Sequence, residues 1–345
     1  MKVTVKDNFL NVRIGRPSVN AECHQFLAPG SVIDVDGKLY PGDRFHGIDT
    51  WYKDAAGNYY WSGGVGSGDV KFNYNTLLGL PDPICATKGD GVVVAIIDSG
   101  CYDHRSLTGS IIASYDVFLK KEDVRKDESL NGHGTFISGI IGAREGVDSE
   151  IVGVAPLVKL VTVKAVVDDE VFAENVLAAL QWILQLGKDR QPNIINLSLD
   201  FDPGGLIDDI EKALKACTEK GMVIVAAGQN EQEVYRSGIF YPAWSMFVSG
   251  VGALSKVNVS ADRLNDAIDF VVPNLSLYST TNFNNKYRNL EGCSISAALV
   301  SGVFALFFSF KAKSPGNGSL SAVINQHIGT FDPGSFDNTL KIFKK

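Results

Sequence analysis

The sequence predicts an α/β fold, a doubly wound and mainly parallel sheet with flanking helices, preceded by a small N-terminal β-barrel. Three observations predict it. Continuous apolar runs recur at Val92-Val93-Val94-Ala95-Ile96-Ile97, Lys159-Leu160-Val161-Thr162-Val163, Ile194-Ile195-Asn196-Leu197-Ser198 and Met222-Val223-Ile224-Val225-Ala226, as strands buried on both faces of a parallel sheet require. Helical periodicity fills the gaps over 172–187 and 207–221, so strand and helix alternate through right-handed crossovers. Residues 1–65 instead hold short β-prone pieces broken by turn residues, the pattern of a small all-β unit.

Taken in order, the first of those pieces is Leu10-Asn11-Val12-Arg13, followed by Ser31-Val32-Ile33-Asp34-Val35, Trp51-Tyr52-Lys53-Asp54 and Asn58-Tyr59-Tyr60-Trp61. Turns at Ala28-Pro29-Gly30, Asp36-Gly37, Tyr40-Pro41-Gly42 and Ala56-Gly57-Asn58 separate them. The wording LNVRIGRPS, LAPGSVIDVDG and WYKDAAGNYYWSGG resembles the bacterial SH3 family. That resemblance implies an SH3-like barrel whose Trp51, Tyr52, Tyr59, Tyr60 and Trp61 either line a ligand groove or fill a small core. Ser62-Gly63-Gly64-Val65-Gly66-Ser67-Gly68 reads as a flexible connection, so residues 66–85 are expected to be a linker and 86–345 the α/β domain. Residues 297–310 form the longest strongly apolar run, interrupted by Ser301, Gly302 and Ser309. Being shorter than the ~20 residues a membrane span needs, it is expected to be a buried core helix.

A formal net charge of −7 argues against a nucleic-acid binder, which would carry a basic patch or stripe. The 5 cysteines (Cys23, Cys85, Cys101, Cys217 and Cys293) include no closely spaced pair, so neither a zinc site nor a disulfide framework is expected. The opening MKVTVKDNFL is polar throughout and lacks the apolar stretch of an export signal. With reduced thiols, this points to a cytoplasmic protein without a membrane partner.

Three segments carry the residue types of nucleophilic catalysis. Asp98 ends the run Ile96-Ile97-Asp98, and in an open parallel sheet functional groups gather beyond the carboxyl ends of strands. Alone, an aspartate there reads more readily as a cap or turn residue. His133 lies in Asn131-Gly132-His133-Gly134-Thr135, whose glycines let backbone approach closely and leave the ring free at a helix start. Ser294 lies in Gly292-Cys293-Ser294-Ile295-Ser296 and opens the apolar helix, where free N–H groups favour developing negative charge. By position alone Ser294 is equally a helix cap, and Ser296 an equal candidate for the nucleophile.

In the order Asp, His, Ser, these segments resemble the subtilisin-like peptidases over nearly all of residues 86–345. The matching stretches are VVVAIIDSG, NGHGTFISGIIGA and EGCSISAALVSG, with IVGVAPLVKLVTVKAV, IINLSLD, VIVAAGQN and FYPAWSMFVSGVGAL between them in the family's order. The resemblance implies a triad of Ser294 as nucleophile, His133 as general base and then acid, and Asp98 as its orienting partner. It further implies that Ser198, Leu199 and Asp200 hold extended substrate, and that Ala226, Ala227 and Gly228 wall the specificity pocket. The family's oxyanion-hole Asn normally follows Ala-Ala-Gly directly; here Gln229 comes first and Asn230 second, and both are candidates. Cys293 replaces the usual Thr before the nucleophile, Ala298 replaces a Pro, and Asp200 stands where the family has Gly, read here as the start of a turn. The resemblance allows calcium without requiring it, and no loop of spaced carboxylates is evident. Asp116, Glu122, Asp123 and Asp127, interleaved with Lys120, Lys121, Arg125 and Lys126, read as a solvated surface loop. Residues 1–65 do not resemble the family's inhibitory pro-segment, so control by a partner, through the SH3-like domain, is expected.

The function expected is that of a serine endopeptidase acting on a limited set of protein or peptide substrates. Two other functions use the same residues: a non-catalytic peptide-binding scaffold, and a peptide ligase or macrocyclase with Ser294 as nucleophile.

Overall fold

The computed structural model describes residues 1–6, 10–27, 30–66, 72–146, 149–230, 241–254, 266–314, 316, 318–330 and 341–345. The N-terminal segment is all-β: β1 (Lys2–Val5), β2 (Leu10–Ile14), β3 (Cys23–Leu27), β4 (Val32–Asp34), β5 (Tyr40–Phe45), β6 (Ile48–Lys53), β7 (Asn58–Trp61) and β8 (Val65–Gly66). They form two sheets, ordered β4-β1-β8 and β3-β2-β7-β6-β5. Alternating residues turn inward, so Val3, Val5, Leu10, Val12, Leu27, Ile33, Val35, Tyr60 and Val65 share one small core. The aromatic residues of this unit differ in burial. Trp51 and Tyr60 are 2% and 5% exposed and so fill the interior. Trp61 packs edge-on against Phe45 and lines a cleft of about 500 Å³ with Lys6 and Arg13.

The second unit begins with β9 (Phe72–Asn73), α1 (Tyr74–Leu77) and α2 (Asp82–Cys85). Its strands continue as β10 (Val93–Asp98), β11 (Ile111–Asp116), β12 (Lys121–Glu122), β13 (Ile151–Val152), β14 (Lys159–Lys164), β15 (Val166–Val167), β16 (Glu170–Val171) and β17 (Ile194–Leu197). After them come β18 (Val223–Asn230), β19 (Val248–Leu254), β20 (Phe270–Pro273), β21 (Leu277–Thr280), β22 (Tyr287–Leu290) and β23 (Phe343–Lys344). The main helices are α3 (His133–Gly142), α4 (Ala173–Gln185), α5 (Ile207–Glu219), α6 (Cys293–Lys313) and α7 (Leu320–His327). The large sheet has the order β12-β11-β14-β10-β17-β18-β19-β20-β23. All neighbours from β11 to β20 pair in parallel, and the short edge strands β12 and β23 pair antiparallel. This is the doubly wound sheet that the apolar runs predict. Strand order turns at β10, whose neighbours β14 and β17 lie on opposite sides of it. The carboxyl end of β10 is therefore the switch point, where such sheets place their ligands.

One core lies on each face of the sheet. On one, Ala95, Ile97, Val161, Val163, Ile195 and Leu197 meet the apolar stripes of α4 and α5. On the other, Val94, Ile96, Leu160 and Val225 meet α3 and α6. The apolar run expected at 297–310 extends to 21 residues in α6, long and apolar enough to cross a membrane by length and composition. Because 83% of that window is buried inside the protein, its apolar surface is already matched by packing, as in a core helix.

Residues 72–85 correct the expected linker. Phe72, Tyr74 and Ile84 are at most 1% exposed and belong to the core shared with α3 and α6. Glycine and serine content upstream suggested a flexible connection, but these three side chains bury too much apolar surface to stay solvated. The Ser67–Gly68 end of that connection lies outside the described residues. The two units touch where Leu27 bridges Ser276 in parallel and Gln25 Nε2 donates to the Ser276 hydroxyl at 2.9 Å.

Candidate active site

Asp98 is the last residue of β10, so the parallel sheet itself delivers its carboxylate to the switch point. His133 is the first residue of α3. Its Nδ1 lies 2.9 Å from Asp98 Oδ1 and 3.0 Å from Oδ2, so an Nδ1–H is shared by both carboxylate oxygens. The Asp98 side chain is 3% exposed and the imidazole 22%, so part of the ring remains accessible. The Asp98 Oδ1 also accepts from the backbone N–H of Ser99 at 2.7 Å, which aims the carboxylate.

The glycines beside His133 answer two separate steric demands. Gly132 has φ +68°, and a Cβ on it would come within 2.7 Å of the Asn282 backbone nitrogen. A Cβ on Gly134 would lie 2.1 Å from the Gly100 carbonyl oxygen and 3.1 Å from Asp98 Oδ1, so only glycine lets α3 start this close to β10. Farther along, the hydroxyls of Ser279 and Thr280 in β21 donate to the Phe136 and Thr135 carbonyls at 2.8 and 2.7 Å and fix the helix from its other side.

Burial disfavours the charged imidazole of His133, yet the Asp98 carboxylate, by charge and hydrogen bond, and the charges of Asp127 and Asp169 outweigh it. The ring therefore titrates above the ordinary histidine value. That is the electrostatics of a base whose protonated form is stabilised.

Ser294 occupies the first turn of α6 and is half-buried, whereas Ser296 is 3% exposed. This separates two serines that sequence position leaves equal. The helix begins at Gly292, with φ +131° and its N–H donated to Asn274 Oδ1 at 3.1 Å. A relay of buried side chains ties this turn to β17. Ser301 Oγ donates to Asn196 Oδ1, Asn196 Nδ2 to Ser198 Oγ, and Ser198 Oγ to the Ser294 carbonyl, at 2.9, 2.9 and 2.6 Å. Helix α3, which begins with His133, packs on α6, which carries Ser294, and β10, which ends with Asp98, pairs with β17. Among the described residues no hydrogen bond joins the Ser294 hydroxyl to the imidazole; in substrate-free sites such bonds are commonly long.

The remaining expected residues are placed as follows. Ser198 and Leu199 are buried just beyond β17, and Asp200 is exposed there. Ala226 and Ala227 pack into the cores on opposite faces of the sheet. Gly228 sits where the β18–β19 register shifts, against Ile268 and Ala243. Gln229 and Asn230 continue β18, and their side chains lie outside the described residues.

The acidic segment before His133 is only half solvated. Glu122 and Asp123 are exposed as expected, but Asp116 and Asp127 are 2% and 6% exposed. Asp116 Oδ1 accepts the N–H groups of Phe118 and Leu119, both at 2.9 Å. Asp127 accepts from Ser99, Ser129 and Thr135 at the start of α3, and this cluster was missed by the sequence reading. Ser99 and Thr135 stand inside the two histidine and aspartate motifs, and that adjacency was the available signal. Among the described residues no group of 3 or more His, Cys, Asp or Glu side chains is placed to hold a metal ion, so no set of calcium ligands can be named.

The Subtilase family model matches residues 89–337, well over half of the chain. The chain is 31% identical over 240 residues to the major intracellular serine protease of Bacillus subtilis (strain 168), covering 66% of this chain and 71% of that protein. It is 32% identical over 227 residues to the thermophilic serine proteinase of Bacillus sp. (strain AK1), covering 65% of this chain and 54% of that one. The intracellular serine protease of Paenibacillus polymyxa is 30% identical over 228 residues, with coverage of 64% and 67%. The chain belongs to the subtilase family, the subtilisin-like serine peptidases.

Proposed function

We propose that the protein is a serine endopeptidase that hydrolyses peptide bonds through an acyl-enzyme on Ser294. The observation that carries this reading is the Asp98–His133 pair at the switch point of the sheet, with His133 on a helix that packs against α6, the helix of Ser294. In acylation the Ser294 Oγ attacks the scissile carbonyl and His133 Nε2 takes its proton, while Asp98 holds Nδ1–H and stabilises the imidazolium. The same proton goes to the leaving amine as the C–N bond breaks. Water, deprotonated by His133, then attacks the ester and returns the serine. Negative charge on the carbonyl oxygen needs a donor, and the Ser294 N–H is one of the first-turn groups of α6 without an intrahelical acceptor. The amide of Gln229 or Asn230 is the second donor of this reading. Extended substrate lies along Ser198, Leu199 and Asp200, with Ala226, Ala227 and Gly228 behind its specificity-determining side chain. Two relatives carry "intracellular" in their names, which supports a cytoplasmic site of action; a limited set of substrates is part of the same proposal.

Labelling with a fluorophosphonate and mapping the modified peptide tests this. Ser294 takes the label, Ser294→Ala takes none, and Ser296→Ala labels like the parent. Label on Ser296, or a folded protein that never acylates, overturns the assignment; the latter is what a peptide-binding scaffold would do. Product masses with an added amine separate hydrolysis from ligation.

A further inference from the structure

The start of α3 poses a problem that its own sequence does not solve. The first N–H groups of a helix need acceptors from outside it, and Gly132, the N-cap, has no side chain to offer. The structure supplies three acceptors from elsewhere. Ser129 Oγ accepts from His133 N at 3.1 Å, Ser99 Oγ from Gly134 N at 2.9 Å, and Asp127 Oδ2 from Thr135 N at 2.9 Å. All three converge on Asp127. Its Oδ1 accepts from Ser129 Oγ at 2.7 Å, Ser129 N at 3.2 Å and Ser99 Oγ at 3.0 Å, and its Oδ2 also accepts from Thr135 Oγ1 at 2.6 Å. The single Ser99 hydroxyl proton lies between Asp127 Oδ1 and Asp98 Oδ1, the latter 3.2 Å away. The backbone of Asp127 is fixed as well, its carbonyl accepting from Asn282 Nδ2 at 2.8 Å.

We propose that Asp127 is a positioning residue of the peptidase site: a second buried carboxylate that holds the first turn of α3, and with it the His133 ring, against Asp98. This rests on the peptidase reading above. A solvated carboxylate would gain nothing by burial at 6% exposure, so its five side-chain bonds must offset the desolvation. No cation neutralises it across these contacts, and Lys164, on the neighbouring β14, is matched by Glu128 and lies 3.9 Å from Asp116. The carboxylates whose charge acts on His133 are those of Asp98 on β10, Asp127 on its own approach loop and Asp169 in the β15–β16 turn. The Cys101 thiol, on which the Asp127 charge also acts, is pushed up to about 12, chiefly by burial, and stays neutral. Asp127 thus adds negative charge near the ring as well as geometry, and both favour the imidazolium formed in acylation.

The test uses the full chain, a chromogenic peptide for turnover, and NMR titration of the His133 ring, assigned by its loss in His133→Gln. In Asp127→Asn one oxygen becomes an NH2 that faces donors. We expect kcat/KM to fall on the order of 10-fold or more with KM little changed. The His133 titration and the acid limb of kcat/KM should both move to lower pH. Thr135→Val removes a hydroxyl donor and leaves the charge, so turnover falls while the titration stays high. Parent turnover in Asp127→Asn, or reduced turnover with an unmoved titration, overturns the proposal. If Asp127→Asn does not fold, Asp127→Glu keeps the charge but displaces it; parent turnover in that variant also overturns it. A parent protein that neither acylates nor hydrolyses defeats the peptidase reading instead, and the ring titration still reports on Asp127.

Discussion

His133 meets two opposed demands, and the residues around it explain the balance. A general base must be neutral to accept a proton, yet its protonated form must be stabilised once it has. Burial favours the neutral ring, and Asp98, Asp127 and Asp169 favour the charged one and prevail. The sign follows directly: the neutral, working form fills as pH rises, so the acid limb of activity lies above that of a free histidine at ~6.5. For stability the sense is opposite. The raised value contributes to folding fully below ~6.5 and is lost as pH rises through the folded-state value. At the oxyanion end, Gln229 and Asn230 follow a register shift at Gly228, so either amide is the donor of the proposed mechanism. Gln229→Ala or Asn230→Ala, whichever removes that donor, should lower kcat about 100-fold or more with KM and folding stability nearly unchanged. Parent turnover in both single variants would show that no side-chain amide serves the site.

At the scale of the element, α6 combines a largely apolar body with a short polar relay that runs from Ser301 to its first turn. Its burial holds the helix in the core, but burial is not directional and does not fix rotation or register. The Ser301–Asn196–Ser198 relay is directional, and it ends on the Ser294 carbonyl. All three side chains are at most 3% exposed, so none can turn to water if a partner is lost. Asn196→Ala should therefore destabilise the fold by about 1–3 kcal/mol, read as a lower denaturant midpoint at unchanged slope. Turnover should fall as well, because the first turn of α6 loses its tether to β17. An unchanged midpoint would mean that water or repacking satisfies the two serines. Here sequence and structure part company: the apolar helix and both glycine-flanked motifs are legible, while Asn196 within an apolar strand looks like any buried strand residue.

At the scale of the whole molecule, the two units meet through the Gln25–Ser276 hydrogen bond, the Leu27–Ser276 bridge and the packing of Phe26 and Val32 against the larger core. Ser276 lies two residues after Asn274, which caps Gly292 at the start of α6, so the N-terminal unit reaches the loop that supports the proposed nucleophile. The cysteines are spread across both units, and all five are free. Burial pushes the Cys217 thiol, like that of Cys101, up to about 12, which keeps both protonated and unreactive. Alkylation without reductant should thus add few groups to the native protein and five once it is unfolded, read by intact mass. Fewer additions after unfolding would reveal disulfides and sink the cytoplasmic assignment.

Four strands of the central sheet, the helices over 172–187, 207–221 and 297–310, the Asp98, His133 and Ser294 motifs and the family resemblance were legible in the sequence alone. Each is a local property: apolar runs bury themselves, and glycines beside a histidine mark close backbone approach. Tertiary structure decided the rest. Linker-like residues 72–85 became core because Phe72, Tyr74 and Ile84 found apolar partners distant in the chain. Asp127, flanked by charges in sequence, is buried because Ser99, Ser129 and Thr135 converge on it from three segments. Ser294 and Ser296 are equivalent in sequence and differ only in what α6 packs against. The physical reason is common to all three: burial and hydrogen-bond partnership depend on which distant groups arrive, and no local pattern encodes their arrival.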